Sequence, residues 1–97
     1  MSNLTAITIE FDTDNGPHRM TFEGREAWAL GKLIEAGERG VTPIERPAPR
    51  WSHYIFMLRK AGLDIETIHE PHGGPFSGHH GRYVLHTPVK LLHEVAG

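Results

Sequence analysis

The sequence predicts an α+β fold in the order β-β-α-α-α-β-β: an N-terminal β-hairpin, three helices and a C-terminal two-stranded hairpin. Alternation of apolar and polar residues predicts the strands, because successive strand side chains point to opposite faces. Apolar residues three and four positions apart predict the helices. We expect the 97 residues to form one domain over 1–97, since two cores would each be too small to fold unaided.

Residues 4–22 are predicted to form the N-terminal hairpin. Apolar side chains alternate with polar ones in the segment Leu4–Phe11. The next residues, Asp12–Pro17, are rich in turn formers, and Met20 and Phe22 then resume the alternation. This pattern is typical of two half-buried antiparallel strands joined by a short turn.

Residues 24–62 are predicted to contain the three helices. The first is Gly24–Gly37, whose apolar residues fall on one stripe and whose last glycine suits a helix C-terminus. A short second helix is expected in Val41–Glu45, where Thr42 is a suitable N-cap. The third helix, Arg50–Ala61, has the clearest pattern, with four residues on one side: Trp51, Tyr54, Ile55 and Leu58.

Residues 63–86 are predicted to form the second hairpin. Its central segment, Pro71–Gly81, contains so many glycines and prolines that we expect no regular structure there. The tail, residues 87–97, includes Val89–Val95, which is compatible with either a short strand or a helical turn.

Positive charge is concentrated in the middle of the chain. The net charge is −2, yet residues 39–62 carry five basic side chains and one acidic side chain, a local balance of +4. Such a patch attracts polyanions even when the whole molecule is acidic.

The absence of cysteine excludes disulfides and thiolate metal sites. With no apolar run of roughly 20 residues and no signal-peptide pattern, we expect no membrane partner and a cytoplasmic location.

The run Trp51–Glu66, followed by Gly81–Leu85, resembles the segment from recognition helix to wing in winged helix-turn-helix DNA-binding domains of the small stand-alone bacterial or phage type. In that family an apolar-x-x-Leu-Arg-basic-x-Gly run leads into the first wing strand, and a Gly-Arg-Tyr-type strand returns from the wing. The resemblance covers about residues 20–86. It departs from the family at the proline-crowded second helix and at the long, histidine-rich wing. The matching residues here are Ile55, Leu58, Arg59, Lys60, Gly62 and Gly81-Arg82-Tyr83.

The resemblance implies that the third helix lies in the major groove of DNA and that the wing contacts the backbone or the minor groove. With the apolar side of Arg50–Ala61 facing the core, steps of about 100° per residue turn His53 and Lys60 outward, with Arg50 near the edge. Arg59 lies nearer the core, where an ion pair with Glu66 is expected. The predicted DNA-binding residues are Arg39, Arg46, Arg50, Ser52, His53, Met57, Lys60, His79, His80 and Arg82.

Other functions receive less support from the sequence. Ser52 and His53 are adjacent on a helix and point about 100° apart, which is the wrong geometry for a nucleophile and its base, so we expect no enzyme. The histidines of the wing lie among glycines, and we expect no metal and no cofactor, although a His-rich metal-binding domain is an alternative. Phe56 and Met57 on the outer face suit contacts with thymine methyl groups, a dimer surface or a protein-interaction module. The expected partner is double-stranded DNA, bound by a small transcriptional regulator or a phage or recombination accessory factor, as a homodimer or in a larger assembly.

Overall fold

The computed structural model describes residues 4–74 and 78–96 and shows two α-helices and two β-sheets. A three-residue 3₁₀ turn, Gly37–Arg39, follows the first helix. In chain order the elements are β1 (Leu4–Thr13), β2 (Gly16–Glu23), α1 (Gly24–Ala36), α2 (Trp51–Lys60), β3 (Ile65–His72), β4 (Gly78–Leu85) and β5 (Lys90–Ala96).

The prediction of three helices in the order β-β-α-α-α-β-β is wrong, because strands hold more residues than helices and the expected second helix is absent from the described residues. Val41 instead forms an isolated bridge with Tyr83, each backbone N–H donating to the other's carbonyl at 2.9 and 2.8 Å. One turn follows, closed by the Arg46 N–H donating to the Thr42 carbonyl at 3.0 Å. Prolines at 47 and 49 bias the residues before them toward extended backbone, so the turn cannot lengthen into a helix.

The N-terminal hairpin is confirmed as β1 and β2, which pair antiparallel along their length. Gly16, with φ 98°, occupies the left-handed backbone that the turn requires. The C-terminal tail forms β5, which pairs with the other edge of β1, so β1 is the central strand in the order β2-β1-β5. Of the two structures left open for this tail, the strand is the one formed.

The core lies between the three-stranded sheet and the two helices. Ile7, Ile9 and Phe11 project from one face of β1 and are buried against the helices. From α1 the buried residues include Leu30 and Leu33, which are almost fully removed from solvent. Burial of these side chains is the main stabilising contribution to the fold. As a result, the two helices are held by one continuous apolar cluster.

The second hairpin consists of β3 and β4, paired from Ile65↔Leu85 to His72↔Gly78. The expectation of an irregular Pro71–Gly81 is wrong at both ends, because Pro71 pairs with His79 and Gly81 with His69. Proline is tolerated in β3 because this strand has a free outer edge in a two-stranded sheet. Residues 75–77 of the predicted loop lie outside the described residues.

Candidate nucleic-acid interface

The helix α2 begins at a sharp turn of the backbone. Arg50 precedes it with φ 72° and ψ 25° and is the one non-glycine residue with positive φ in the described part of the chain. This left-handed conformation costs about 1–2 kcal/mol for an L-residue, so the surrounding contacts must hold it. One such contact is the Trp51 indole N–H, which donates to the Arg46 carbonyl at 2.7 Å. The turn directs Trp51 into the core and leaves Arg50 exposed.

The two sides of α2 differ as the periodicity predicts. The four apolar residues expected to face the core are all buried: Trp51, Tyr54, Ile55 and Leu58. On the other side Ser52, His53 and Lys60 are exposed and Met57 is half-buried. Phe56, at 59% exposure, is the most exposed large apolar side chain in the described residues. We call this outer side, with Arg50 at its start, the α2 face.

The α2 face is cationic. Arg50 and Lys60 lie at its two ends, about 15 Å apart along the helix axis. Neither side chain forms an ion pair with a carboxylate of the described residues. The helix itself contains no acidic residue. Both charges are therefore available to an anionic partner.

Arg59 neither packs in the core nor belongs to the α2 face, because its side chain bonds to β3. Its guanidinium donates from Nε and Nη2 to the Ile65 carbonyl at 3.0 and 2.6 Å and from Nη2 to the Thr67 hydroxyl at 2.8 Å. The predicted ion pair with Glu66 is wrong, since Glu66 pairs with His86 at 2.7 Å. Arg59 thus joins the end of α2 to the start of β3.

A polar network centred on Arg82 joins β4 to the rest of the molecule. Its guanidinium contacts both carboxylate oxygens of Glu70 at 2.9–3.2 Å, and its Nη1 donates to the Arg39 carbonyl at 3.0 Å and to Glu45 at 3.3 Å. The Arg82 side chain is only 23% exposed. Its hydrogen bonds hold the pKa of the Glu70 carboxyl below the usual value, and a hydrogen bond from His80 acts in the same direction. Glu70 in turn raises the pKa of Arg82.

Two histidines extend this network along the hairpin. His80 donates from Nε2 to Glu70 at 2.8 Å, and its Nδ1 lies 2.9 Å from Nδ1 of His72. In this contact one of the two nitrogens donates and the other accepts. Among residues 4–74 and 78–96 no three His, Asp or Glu side chains come together as a metal site.

The structure brings together half of the ten predicted DNA-binding residues. Those on the α2 face are Arg50, Ser52, His53, Met57 and Lys60. Arg39 and Arg46 are exposed before this helix and line one small pocket. His79 is exposed on the hairpin, whereas His80 and Arg82 are half-buried and engaged with Glu70.

Comparison with known families identifies the family to which this chain belongs. A family model described as a winged helix domain matches residues 19–95, which is well over half of the chain. The chain belongs to this winged helix family. Neither a curated protein nor a solved structure matches it.

We call the hairpin of β3 and β4 the wing, and the bridge between Val41 and Tyr83 joins it to the segment before α2. Tyr83 also stacks on Trp51, with ring centroids 6.0 Å apart. The strand β4 and the start of α2 therefore share one packed aromatic contact.

None of the helices in the part of the chain that the structure describes is long and apolar enough to span a membrane.

Sequence reasoning missed Arg25 of α1 as a neighbour of the α2 face. Its guanidinium carbon lies 4.2 Å from the centroid of the Trp28 ring and 5.9 Å from that of Tyr54. The ring of Tyr54 also contacts His53, with centroids 6.1 Å apart. The i, i+3 spacing of Arg25 and Trp28 could have indicated their pairing, since such residues are neighbours on a helix. The contact with Tyr54 depends on how the two helices pack.

Proposed function

We propose that this winged helix domain binds duplex DNA through the α2 face and catalyses no reaction. The observation that supports this most is that the α2 face is exposed and carries two cations, Arg50 and Lys60, without carboxylate partners in the described residues. Membership of the winged helix family supports the same function. Electrostatic attraction to phosphate supplies most of the non-specific affinity of such proteins.

The dimensions of α2 suit the major groove. A helix with its side chains is about 10–12 Å across, and the groove is about 12 Å wide. In this proposal Arg50 binds a guanine edge bidentately or a phosphate, and Lys60 binds a phosphate. Ser52 and His53 contact base edges between them, and Met57 contacts a thymine methyl group.

The segments beside α2 contribute contacts to the DNA backbone. Arg39, Arg46 and His79 are exposed and serve as phosphate contacts in this proposal. Arg82 and His80 hold the wing through Glu70, so their contribution to binding is to position the wing. Because one small module binds DNA weakly, we further propose that the domain acts as a homodimer or in a larger assembly, as a transcriptional regulator or a phage or recombination accessory factor.

Fluorescence anisotropy with a randomised duplex pool at a series of salt concentrations tests the proposal. The wild type should bind at low salt. The double variant Arg50→Ala with Lys60→Ala should make the negative slope of log K against log salt less steep, by about 0.9 for the phosphate contact of Lys60 and by about 1.8 if Arg50 also binds a phosphate. The matched control is Arg19→Ala with Lys90→Ala, which removes the same charge. Both control residues pair with Glu10 in the register of the sheet and lie on the face opposite the core. Absence of wild-type binding to any duplex at low salt would contradict the proposal.

A protein-interaction module is the second candidate, and the exposure of Phe56 is the observation that favours it. Next to it, Met57 lines an open groove with Met20 and Phe22 of β2. Replacement of Phe56 by Ser separates the two functions. If the face serves DNA, the wild type binds duplex DNA and the variant still shows salt-dependent binding, because Arg50 and Lys60 are retained. Loss of a captured protein partner together with no wild-type DNA binding would select the second function.

A further inference from the structure

We propose that Arg25 of α1 is a phosphate-binding residue that contacts the DNA backbone when a duplex occupies the α2 face. This inference rests on the proposed function and adds to it a residue from a different helix. The ligand is a phosphodiester of the duplex. Three observations support the proposal. The guanidinium lies over aromatic rings, it has no carboxylate partner among the described residues, and it is close to α2.

Two aromatic rings hold the Arg25 guanidinium. Its carbon atom lies 4.2 Å from the Trp28 centroid and 5.9 Å from the Tyr54 centroid. Attraction of a cation to a ring face modestly favours this position of the guanidinium at an exposed site, and does not use its N–H groups. Five donors in the guanidinium plane stay available, in the fork geometry that fits two phosphate oxygens. A group already held in place loses little further freedom when it binds.

Arg25 has no carboxylate partner within the described residues. Its exposed side chain therefore differs from that of Arg82, whose charge is matched by Glu70. A stacked guanidinium of unmatched charge at the surface attracts an anion more strongly than one in an ion pair, because no intramolecular contact has to be broken first.

The position of Arg25 beside α2 indicates which anion it meets. The Tyr54 ring is a neighbour of both Arg25 and His53, at 5.9 Å from the guanidinium carbon and 6.1 Å from the imidazole centroid. His53 is exposed on the α2 face, so a groove that receives His53 brings one of its phosphate strands toward Arg25. Arg25 would then bind at the rim of the groove, on the α1 side of the helix.

The test is the salt dependence of duplex binding for Arg25→Gln, Arg25→Lys and the control Lys90→Gln, each checked by thermal unfolding. Removal of one phosphate contact lowers the steepness of the negative slope of log K against log salt by about 0.9. We expect this decrease for Arg25→Gln and no change in slope for Lys90→Gln, although both lose one positive charge. Arg25→Lys should retain the slope but bind more weakly than the wild type, because lysine lacks the planar fork.

The outcomes separate this inference from the proposed function. If the wild type binds no duplex, the proposed function fails. If the wild type binds and Arg25→Gln keeps the full slope, the inference alone is overturned. Equal losses of binding and of thermal stability in Arg25→Gln and Arg25→Lys would show that Arg25 serves only the packing of α1 on α2, and would overturn the inference as well.

Discussion

A methyl group added at Gly40 tests how tightly the wing is attached to the helices. Gly40 has φ 74° and precedes Val41, whose backbone bonds Tyr83 of the wing. A Cβ at this position would lie 2.7 Å from the Tyr83 carbonyl oxygen and 2.8 Å from Cγ2 of Val84. Both distances are shorter than real Cβ contacts, and one of the neighbours is backbone that cannot rotate away. Gly40→Ala must therefore displace the wing from the segment before α2.

The size of the effect follows from comparison with Gly37→Ala. Gly37 also has positive φ, at 58°, but a Cβ there would meet nothing within 4 Å. Both substitutions carry the backbone strain of about 1–3 kcal/mol. Gly40→Ala adds the cost of overpacking, about 1–3 kcal/mol. For a domain of this size each kcal/mol lowers Tm by about 4–8 °C.

Urea unfolding followed by tryptophan fluorescence measures the difference. Trp28 and Trp51 lie in one aromatic cluster with their ring centroids 5.3 Å apart, so their emission reports loss of the packing around α2. The unfolding free energy of Gly40→Ala should be lower than that of Gly37→Ala by at least about 1 kcal/mol. Equal stability of the two variants would refute the close contact between the wing and Gly40.

Three further predictions concern single residues. Leu58→Ala should lower the free energy of unfolding by about 2–5 kcal/mol, because Leu58 is fully buried; a loss below 1 kcal/mol by urea unfolding would contradict its place in the core. Thr42→Ala should cost about 1 kcal/mol, since the buried hydroxyl accepts the Glu45 N–H at 3.0 Å; Thr42→Ser is the control that should retain stability. Glu70→Gln should flatten the acid side of the pH–stability profile. The lowered pKa of Glu70 means that its contribution is complete above its unfolded pKa and is lost as pH falls through the folded value. Identical Tm profiles of the variant and the wild type between pH 7 and 3 would contradict the ion pair with Arg82.

Local sequence pattern was sufficient for the first hairpin and for both long helices. The buried faces of β1 and α2 follow from alternation and from helical spacing, because each strand or helix must turn one apolar side to the core. The same spacing correctly placed His53, Phe56 and Lys60 on the exposed side of α2. These features depend on residues within one element.

The strand β5 could not be inferred from the sequence with the same certainty. All seven of its residues are exposed, so no periodic burial marks it as a strand. Its register with β1 also shifts between Thr8 and Ile9, which interrupts any simple alternation. Pairing of β5 with β1 joins residues at least 80 positions apart, and only the folded chain brings them together.

The roles of individual arginines were likewise decided by tertiary structure. Arg82 shares its charge class with Arg25, and nothing in the local sequence distinguishes a paired guanidinium from an unpaired one. Folding places Arg82 against Glu70 and Glu45, which lie 12 and 37 residues away along the chain. Arg25 instead lies over Trp28 of its own helix and near Tyr54 of the neighbouring helix. Residue type and the spacing of apolar residues thus determined which side chains face solvent. Contacts between distant segments determined which charged side chains have no ion pair and can bind a partner molecule.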